Sequence, residues 1–184
     1  VFAFDDGGFT FRKGTVAVAG VVVRLPSYLE GAAVTECEID GLDATQRIAE
    51  MVIASRFREQ LKAIMLDGIA LGGFNVVDLD ELRNRTSLPV ISVTRRRPDL
   101  KAIRRALELH FEDWERRVGL IEKYAPRFLS TKRWHLFVSS SGMGEGEARE
   151  LIDASVVRGN YPEPLRMAHI FAGAITHGES RGKA

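Results

Sequence analysis

Two aspartates stand where apolar stretches run out, and each is followed by glycine. Phe2-Ala3-Phe4 leads into Asp5-Asp6-Gly7-Gly8, and Ile64-Met65-Leu66 leads into Asp67-Gly68, with Gly72 and Gly73 close behind. Two carboxylates held near one another repel unless one is protonated or a cation lies between them. Mg²⁺, or Mn²⁺ in its place, is the natural cation, because it takes hard oxygen ligands, keeps several waters and accepts phosphate oxygens as further ligands. Ions so placed activate water and stabilise the leaving oxygen of a phosphodiester. Gly7, Gly8, Gly68, Gly72 and Gly73 would let a bulky polyanion approach the backbone. A third acid commonly completes such a site; Asp6, beside Asp5, and Asp40 and Asp43, in "EIDGLDATQ", are the candidates. Each motif alone is an ordinary turn, and Asp43 also suits a helix cap. Only the joint placement of Asp5 and Asp67 makes a site.

That placement depends on the elements around them. Val1–Asp5 reads as a short strand, Gly14–Arg24 as a long β-branched one broken by Leu25-Pro26-Ser27, and Tyr28–Ile39 as a third. Short connections favour an antiparallel meander. From Asp43 the residues Ile48, Met51, Val52 and Phe57 fall at helical spacing, and Asp43 with Gln46 forms a capping-box pattern. A strand over 62–67, a short helix from Asp78 and a strand over Pro89–Thr94 follow. One long helix is expected next, since Leu100, Ile103, Leu107, Phe111, Trp114, Val118 and Ile121 step by three and four. Pro98 suits its first turn and Ala125-Pro126 ends it. A strand over Trp134–Ser139 and helices over Gly144–Val157 and Glu163–Ile175 complete a single expected domain, 1–184, free of repeats or linkers. Three antiparallel strands and then helix–strand–helix–strand is the order of the ribonuclease-H-like α/β fold. In that fold helices flank a mixed five-stranded sheet whose strand one lies centrally, beside strand four. The ends carrying Asp5 and Asp67 would then sit about 4.8 Å apart, one strand spacing.

The composition bounds the partners. With 184 residues, 45% hydrophobic and 28% charged, the chain has the make-up of an ordinary globular domain. The longest apolar run, Thr15–Val23, is strand-length and well short of a membrane span, so no membrane partner is expected. The lone Cys37 excludes an internal disulfide and a cysteine-rich zinc site, and points to a reducing compartment, the cytoplasm. A net charge of +1 gives no general pull toward nucleic acid. The charge is uneven, however: Arg95-Arg96-Arg97, Arg104-Arg105 and Arg116-Arg117 crowd the middle of the chain. Such a cluster is either a solvated helix face or a means of neutralising phosphates. His110, His135, His169 and His177 show no metal-ligand spacing and read as surface or core residues. Ser139-Ser140-Ser141-Gly142 resembles a nucleophile turn only loosely, and "GMGEG" has neither a Walker lysine nor a dinucleotide fingerprint.

Four ordered motifs resemble those of one family: "VFAFDDGGF", "LDGIALGGFNVVDLDEL", "LPVISVTRRRP" and "PEPLRMAHIFAGAITHGESRGKA". They are similar to the archaeal UPF0215 (DUF99) family, also called endonuclease dU, whose members are related to endonuclease V. The resemblance implies a ribonuclease-H-like fold and a Mg²⁺-dependent endonuclease acting on DNA with deaminated bases, deoxyuridine in particular. It places the first-strand catalytic Asp of endonuclease V on Asp5 and its fourth-strand Asp-Gly on Asp67-Gly68. The lysine ending the fifth strand falls on Arg95, which can still hold a phosphate bidentately. The Glu before the first helix meets only Asp40 or Asp43, and the Pro-Tyr wedge is absent. The late Gly-His meets Gly142-Met143, and His169 stands where Asp is usual.

The expectation is therefore a Mg²⁺- or Mn²⁺-dependent nuclease. Asp5 and Asp67 would be ligands, Asp6, Asp40 or Asp43 a third acid, and Arg95 with Arg96 the phosphate contacts. RNA is an alternative substrate to DNA. A nuclease fold that binds nucleic acid without chemistry, or an interaction protein with a structural acidic turn, are the alternatives in kind.

Overall fold

β-Branched residues are stiff at χ1 and pack well on a pleated surface, and the run "TVAVAGVVV" forms the second and long strand of the main sheet. In the computed structural model, which describes residues 1–9, 13–132 and 134–180, β1 (Phe2–Asp6), β2 (Thr15–Arg24) and β3 (Tyr28–Glu38) make the expected antiparallel meander. Helix α1 (Ala44–Ala54) leads to β4 (Ile64–Asp67), a two-residue hairpin β5 (Ala70–Leu71) and β6 (Asn75–Val76), helix α2 (Leu79–Thr86) and β7 (Val90–Thr94). Helices α3 (Leu100–His110) and α4 (Trp114–Lys123), strands β8 (Arg127–Ser130) and β9 (His135–Ser141), and helices α5 (Glu145–Ser155) and α6 (Glu163–His177) follow. The tail of the last sequence motif, 181–184, lies outside the described residues.

Among the described residues the main sheet has seven strands in the order β3-β2-β1-β4-β7-β9-β8. The first five are the expected ribonuclease-H-like core, with β1 central and parallel to β4, and β4 parallel to β7. The expected five-stranded sheet is thus extended by an antiparallel hairpin, β8–β9, along the free side of β7. The four-residue β8, close behind Pro126, carries too short an alternation to announce itself.

Each face of the sheet has its own apolar layer. Phe2, Phe4, Ile64 and Leu66 face α1 and α2, while Ala3, Met65, Ile91 and Val93 face α5 and α6. Gly20 sits opposite Phe4, where a Cβ would come within 2.7 Å of Phe2 and 2.8 Å of Phe4, so the Phe2 and Phe4 rings can lie over it, 4.5 Å apart.

The long helix expected over Leu100–Ile121 is two helices. Phe111 leaves helical geometry (φ −131°, ψ 128°), turning its ring onto Phe74 at 5.6 Å, edge to face. The apolar period runs unbroken through the joint because both helices bury the same side against the β5–β6 hairpin. Pro98 precedes the Asp99 cap rather than lying in the first turn, and Asp99 accepts the Lys101 and Ala102 N–H groups. Asp43 does occupy the position before α1, but the side chain that caps the first free amide there is Asn75, which accepts from Ala44 N at 3.0 Å. Gln46 turns instead to Glu50.

Candidate active site

Register decides the site. β1 and β4 pair with Phe2 opposite Ile64, Ala3 opposite Met65 and Phe4 opposite Leu66, so the next step sets Asp5 beside Asp67. Side chains two residues apart on a strand share a face, and both carboxylates therefore emerge on the side of Ala3 and Met65, toward α6. Asp5 is only 6% exposed. Its Oδ1 accepts the Asp6 N–H at 2.9 Å, and its Oδ2 lies 2.8 Å from Nδ1 of His169 on α6. Asp67 Oδ1 accepts the hydroxyl of buried Tyr161 at 2.7 Å; that hydroxyl is also 3.1 Å from the Val93 carbonyl. The Arg95 guanidinium lies 4.1 Å over the Tyr161 ring. Strand ends, the segment before α6 and the second turn of α6 thus converge on one carboxylate pair.

The electrostatics disfavour ionisation of both carboxyls at once. Burial, and then the negative charges of Asp67 and Asp6, push Asp5 up to about 9. Burial also raises Asp67, against the pull of the Tyr161 hydrogen bond and of the Arg95 and His169 charges. Tyr161 is itself driven upward by burial and by Asp67, so it stays protonated and donating. Among the described residues no group of three or more His, Cys, Asp or Glu side chains could hold a metal ion. A pair of carboxylate oxygens fits Mg²⁺ or Mn²⁺ nonetheless, because these ions commonly take one or two protein carboxylates and fill the remaining positions with water and substrate phosphate.

The other sequence candidates divide. Asp6 adjoins the pair: its Oδ2 accepts the Gly72 N–H at 2.6 Å, and its carboxyl also hydrogen-bonds that of Asp5 and feels the charge of Asp67. Asp40, in left-handed geometry (φ 56°), accepts the Phe74 N–H at 2.8 Å. Asp43 accepts from Glu38 N, Asn75 Nδ2 and Arg47 Nε, three donors that hold the α1 entrance together. Neither Asp40 nor Asp43 is brought to the Asp5–Asp67 pair by any of these contacts. Gly72 (φ +57°) and Gly73 (φ +89°) form the β5–β6 turn, where Cβ atoms would meet Val16 at 2.8 Å and Asp40 at 2.3 Å. They admit close packing within the chain rather than a polyanion. Gly7 and Gly8 are similarly closed, by Thr176 and His177. Gly68 differs: at φ +82° a Cβ would find no described atom within 4 Å. Arg95 adjoins the pair through Tyr161, and Arg96 is exposed on the same loop.

Two residues that the sequence left aside are in the site. His169 and Tyr161 are far from both aspartates along the chain, so spacing could not assign them. For His169 two signals existed: its place beside the buried stripe Leu165, Ala168 and Ala172, and the resemblance that sets it where an Asp is usual. The serine run is structural: Ser139 donates to the Tyr124 carbonyl and Ser141 to Asp80, both at 2.5 Å.

Comparison with known proteins agrees with this fold. Residues 1–176 match the family described as Endonuclease dU. A UPF0215 protein of Methanothermobacter thermautotrophicus is 45% identical over 185 residues, covering 100% of this chain and 91% of that protein. A crystal structure of a protein of unknown function from Archaeoglobus fulgidus superposes with a TM-score of 0.85 at 40% identity, covering 96% of this chain and 98% of that one. Ciona intestinalis endonuclease V, in complex with a 24mer DNA containing an inosine followed by a ribo-adenosine, superposes with a TM-score of 0.60 at 15% identity, covering 93% and 83%. At that identity the likeness is one of fold.

Proposed function

The chain belongs to the endonuclease dU family, and from that premise we propose that it is a metal-dependent endonuclease that hydrolyses phosphodiester bonds in DNA containing deaminated bases, deoxyuridine foremost. The observation that carries this reading is the carboxylate pair, buried Asp5 and half-buried Asp67, at adjacent parallel strand ends with both pKa values raised. The DNA in the endonuclease V structure of the same fold contains inosine, itself a deaminated nucleoside, which supports the substrate class.

In this reading Asp5 and Asp67 hold Mg²⁺ or Mn²⁺. The ion, when bound, supplies a polarised water and charge neutralisation at the phosphate. Tyr161 fixes the rotamer of Asp67 by its hydrogen bond, and His169 fixes that of Asp5 through Nδ1. With Nδ1 so engaged, Nε2 is the ring nitrogen that remains to carry a proton. Arg95, anchored on the Tyr161 ring, holds a phosphate oxygen as a permanent cation. Gly68 leaves the backbone beside Asp67 open for that phosphate to approach. Among the described residues no helix is long and apolar enough to cross a membrane, and the lone Cys37 is buried, its thiol pushed up to about 12 by that burial.

The test is nicking of a duplex with one deoxyuridine against the same duplex with thymidine, in Mg²⁺, Mn²⁺ or EDTA. Metal-dependent nicking confined to the deoxyuridine strand is expected, falling to background in Asp5→Asn and in Asp67→Asn. Nicking that survives either substitution overturns the mechanism. Arginine at position 95, where the endonuclease V pattern has lysine, favours a competing reading in which the protein binds DNA without chemistry. Salt-dependent DNA binding with no metal-stimulated cleavage of any substrate would select it.

A further inference from the structure

The added hairpin β8–β9 carries aromatic rings on its surface. Phe128 is 57% exposed and Trp134 54% exposed. The Phe128 ring meets Phe137 across the strand pair at 5.9 Å, edge to face, and the ring of His135 at 4.9 Å, tilted by 34°. An exposed aromatic row on an edge strand is an aggregation hazard that proteins ordinarily blunt, so its retention asks for a use.

Its position supplies one. Phe137 pairs with Thr94, the last residue of β7, so the row stands at the end of the sheet where Asp5 and Asp67 lie and where the exposed Arg95-Arg96-Arg97 loop begins. Thr94 in turn lines a cavity of about 270 Å³ together with Ile69, Pro98, Phe74 and Gly68, the residue that follows Asp67. By strand alternation the row faces the cavity side of the sheet, opposite the α6 side on which Asp5 and Asp67 emerge; the two sides meet at the strand ends, where Gly68 and the three arginines lie, with Lys132 in the β8–β9 turn.

We infer that the β8–β9 edge is a stacking platform for single-stranded DNA flanking the scissile bond. Unpaired bases stack on Phe128, Phe137 and His135 while Arg95, Arg96 and Arg97 take the phosphates. Every base has a π-face, so such a platform tolerates any sequence, and cations beside aromatic rings are the usual make-up of a single-strand groove. The three exposed arginines at this end of the sheet complement a polyanion in charge, and a second copy of the chain, the other occupant the edge could take, is separated by the test. The inference extends the nuclease reading by naming where the strand lies, but it concerns binding alone and stands or falls without cleavage.

The experiment is fluorescence anisotropy with labelled oligo-dT of about 12 nucleotides and with a blunt duplex, both in EDTA. Phe128→Ala and Phe137→Ala should each weaken single-strand binding about tenfold and leave duplex binding unchanged. Phe128→Tyr should restore affinity, whereas Phe128→Leu, which keeps apolar bulk without a π-face, should not. Oligo-dT should also quench the emission of Trp134, and Trp134→Phe should remove that change. Asp5→Asn should bind oligo-dT as the unsubstituted chain does, which separates this surface from the catalytic reading. Single-strand affinity kept in Phe128→Leu, or lost equally for duplex, overturns the inference. So does dissociation of a dimer by Phe128→Ala with oligo-dT binding intact, which would assign the row to a second copy.

Discussion

The proton on Asp5 governs the metal-free site. Its carboxyl titrates near about 9 in the folded chain, against an ordinary value of 3.8, because burial and the charges of Asp67 and Asp6 disfavour ionisation. The folded state therefore holds a proton that the unfolded chain gives up. This contribution to stability is complete below about 4 and is lost as the pH rises toward about 9. The lowered carboxyls Asp43, Asp80 and Asp113 act oppositely, but only in acid near their ordinary value of 3.8. Metal-free protein should accordingly lose stability between about pH 5 and pH 9. Asp5→Asn should flatten that slope and raise stability at pH 8 by about 1–2 kcal/mol while abolishing nicking; denaturation at several pH values in EDTA checks it. Mn²⁺ should raise the melting temperature of the unsubstituted chain more at pH 8 than at pH 6, since the ion must displace that proton. A melting temperature indifferent to both pH and Mn²⁺ would remove the electrostatic argument.

Between elements, the least replaceable contact is made by Arg117 of α4. Its side chain is 6% exposed, stacks over Phe111 at 4.5 Å, and donates to Asp113 and to the carbonyls of Gly41 and Phe74. It joins α4 to the β3–α1 connection and to the β5–β6 hairpin, which in turn carries the Gly72 amide that Asp6 accepts. Arg117→Ala leaves buried acceptors without donors and should cost about 3 kcal/mol in chemical denaturation. Arg117→Lys should recover little, because one ammonium cannot both reach Asp113, which Nε serves, and the two carbonyls, which Nη1 serves, while stacking on a ring. The same joint explains why the helix period over Leu100–Ile121 was misleading. Periodicity reports which side of a segment is buried, and that side is continuous across the break at Phe111. The break itself answers to Phe74, which lies outside the segment.

For the molecule as a whole, charge distribution matters more than the net charge of +1. Arg95, Arg96 and Arg97 gather at the strand ends that carry the aspartates, so DNA affinity should fall steeply with salt. Replacing Arg96 and Arg97 by Ala should reduce the slope of log affinity against log salt by about 1.5–2, measured by titration at several NaCl concentrations; an unchanged slope would place those arginines off the DNA. The sequence by itself determined the strands of the ribonuclease-H-like core, the carboxylates that end β1 and β4, and the family. Period-2 burial, turn residues and motif order are local properties and survive without a structure. Tertiary structure alone decided which acids meet. Asp40 and Asp43 have the same chemistry as Asp5 and lie nearer to it in sequence than Asp67 does, but loop hydrogen bonds turn both elsewhere, while Asp6 stays against the pair with one oxygen on the Gly72 amide. His169 and Tyr161 enter only because α6 and the segment before it cross the sheet at its active end, a contact between distant parts of the chain that no spacing encodes.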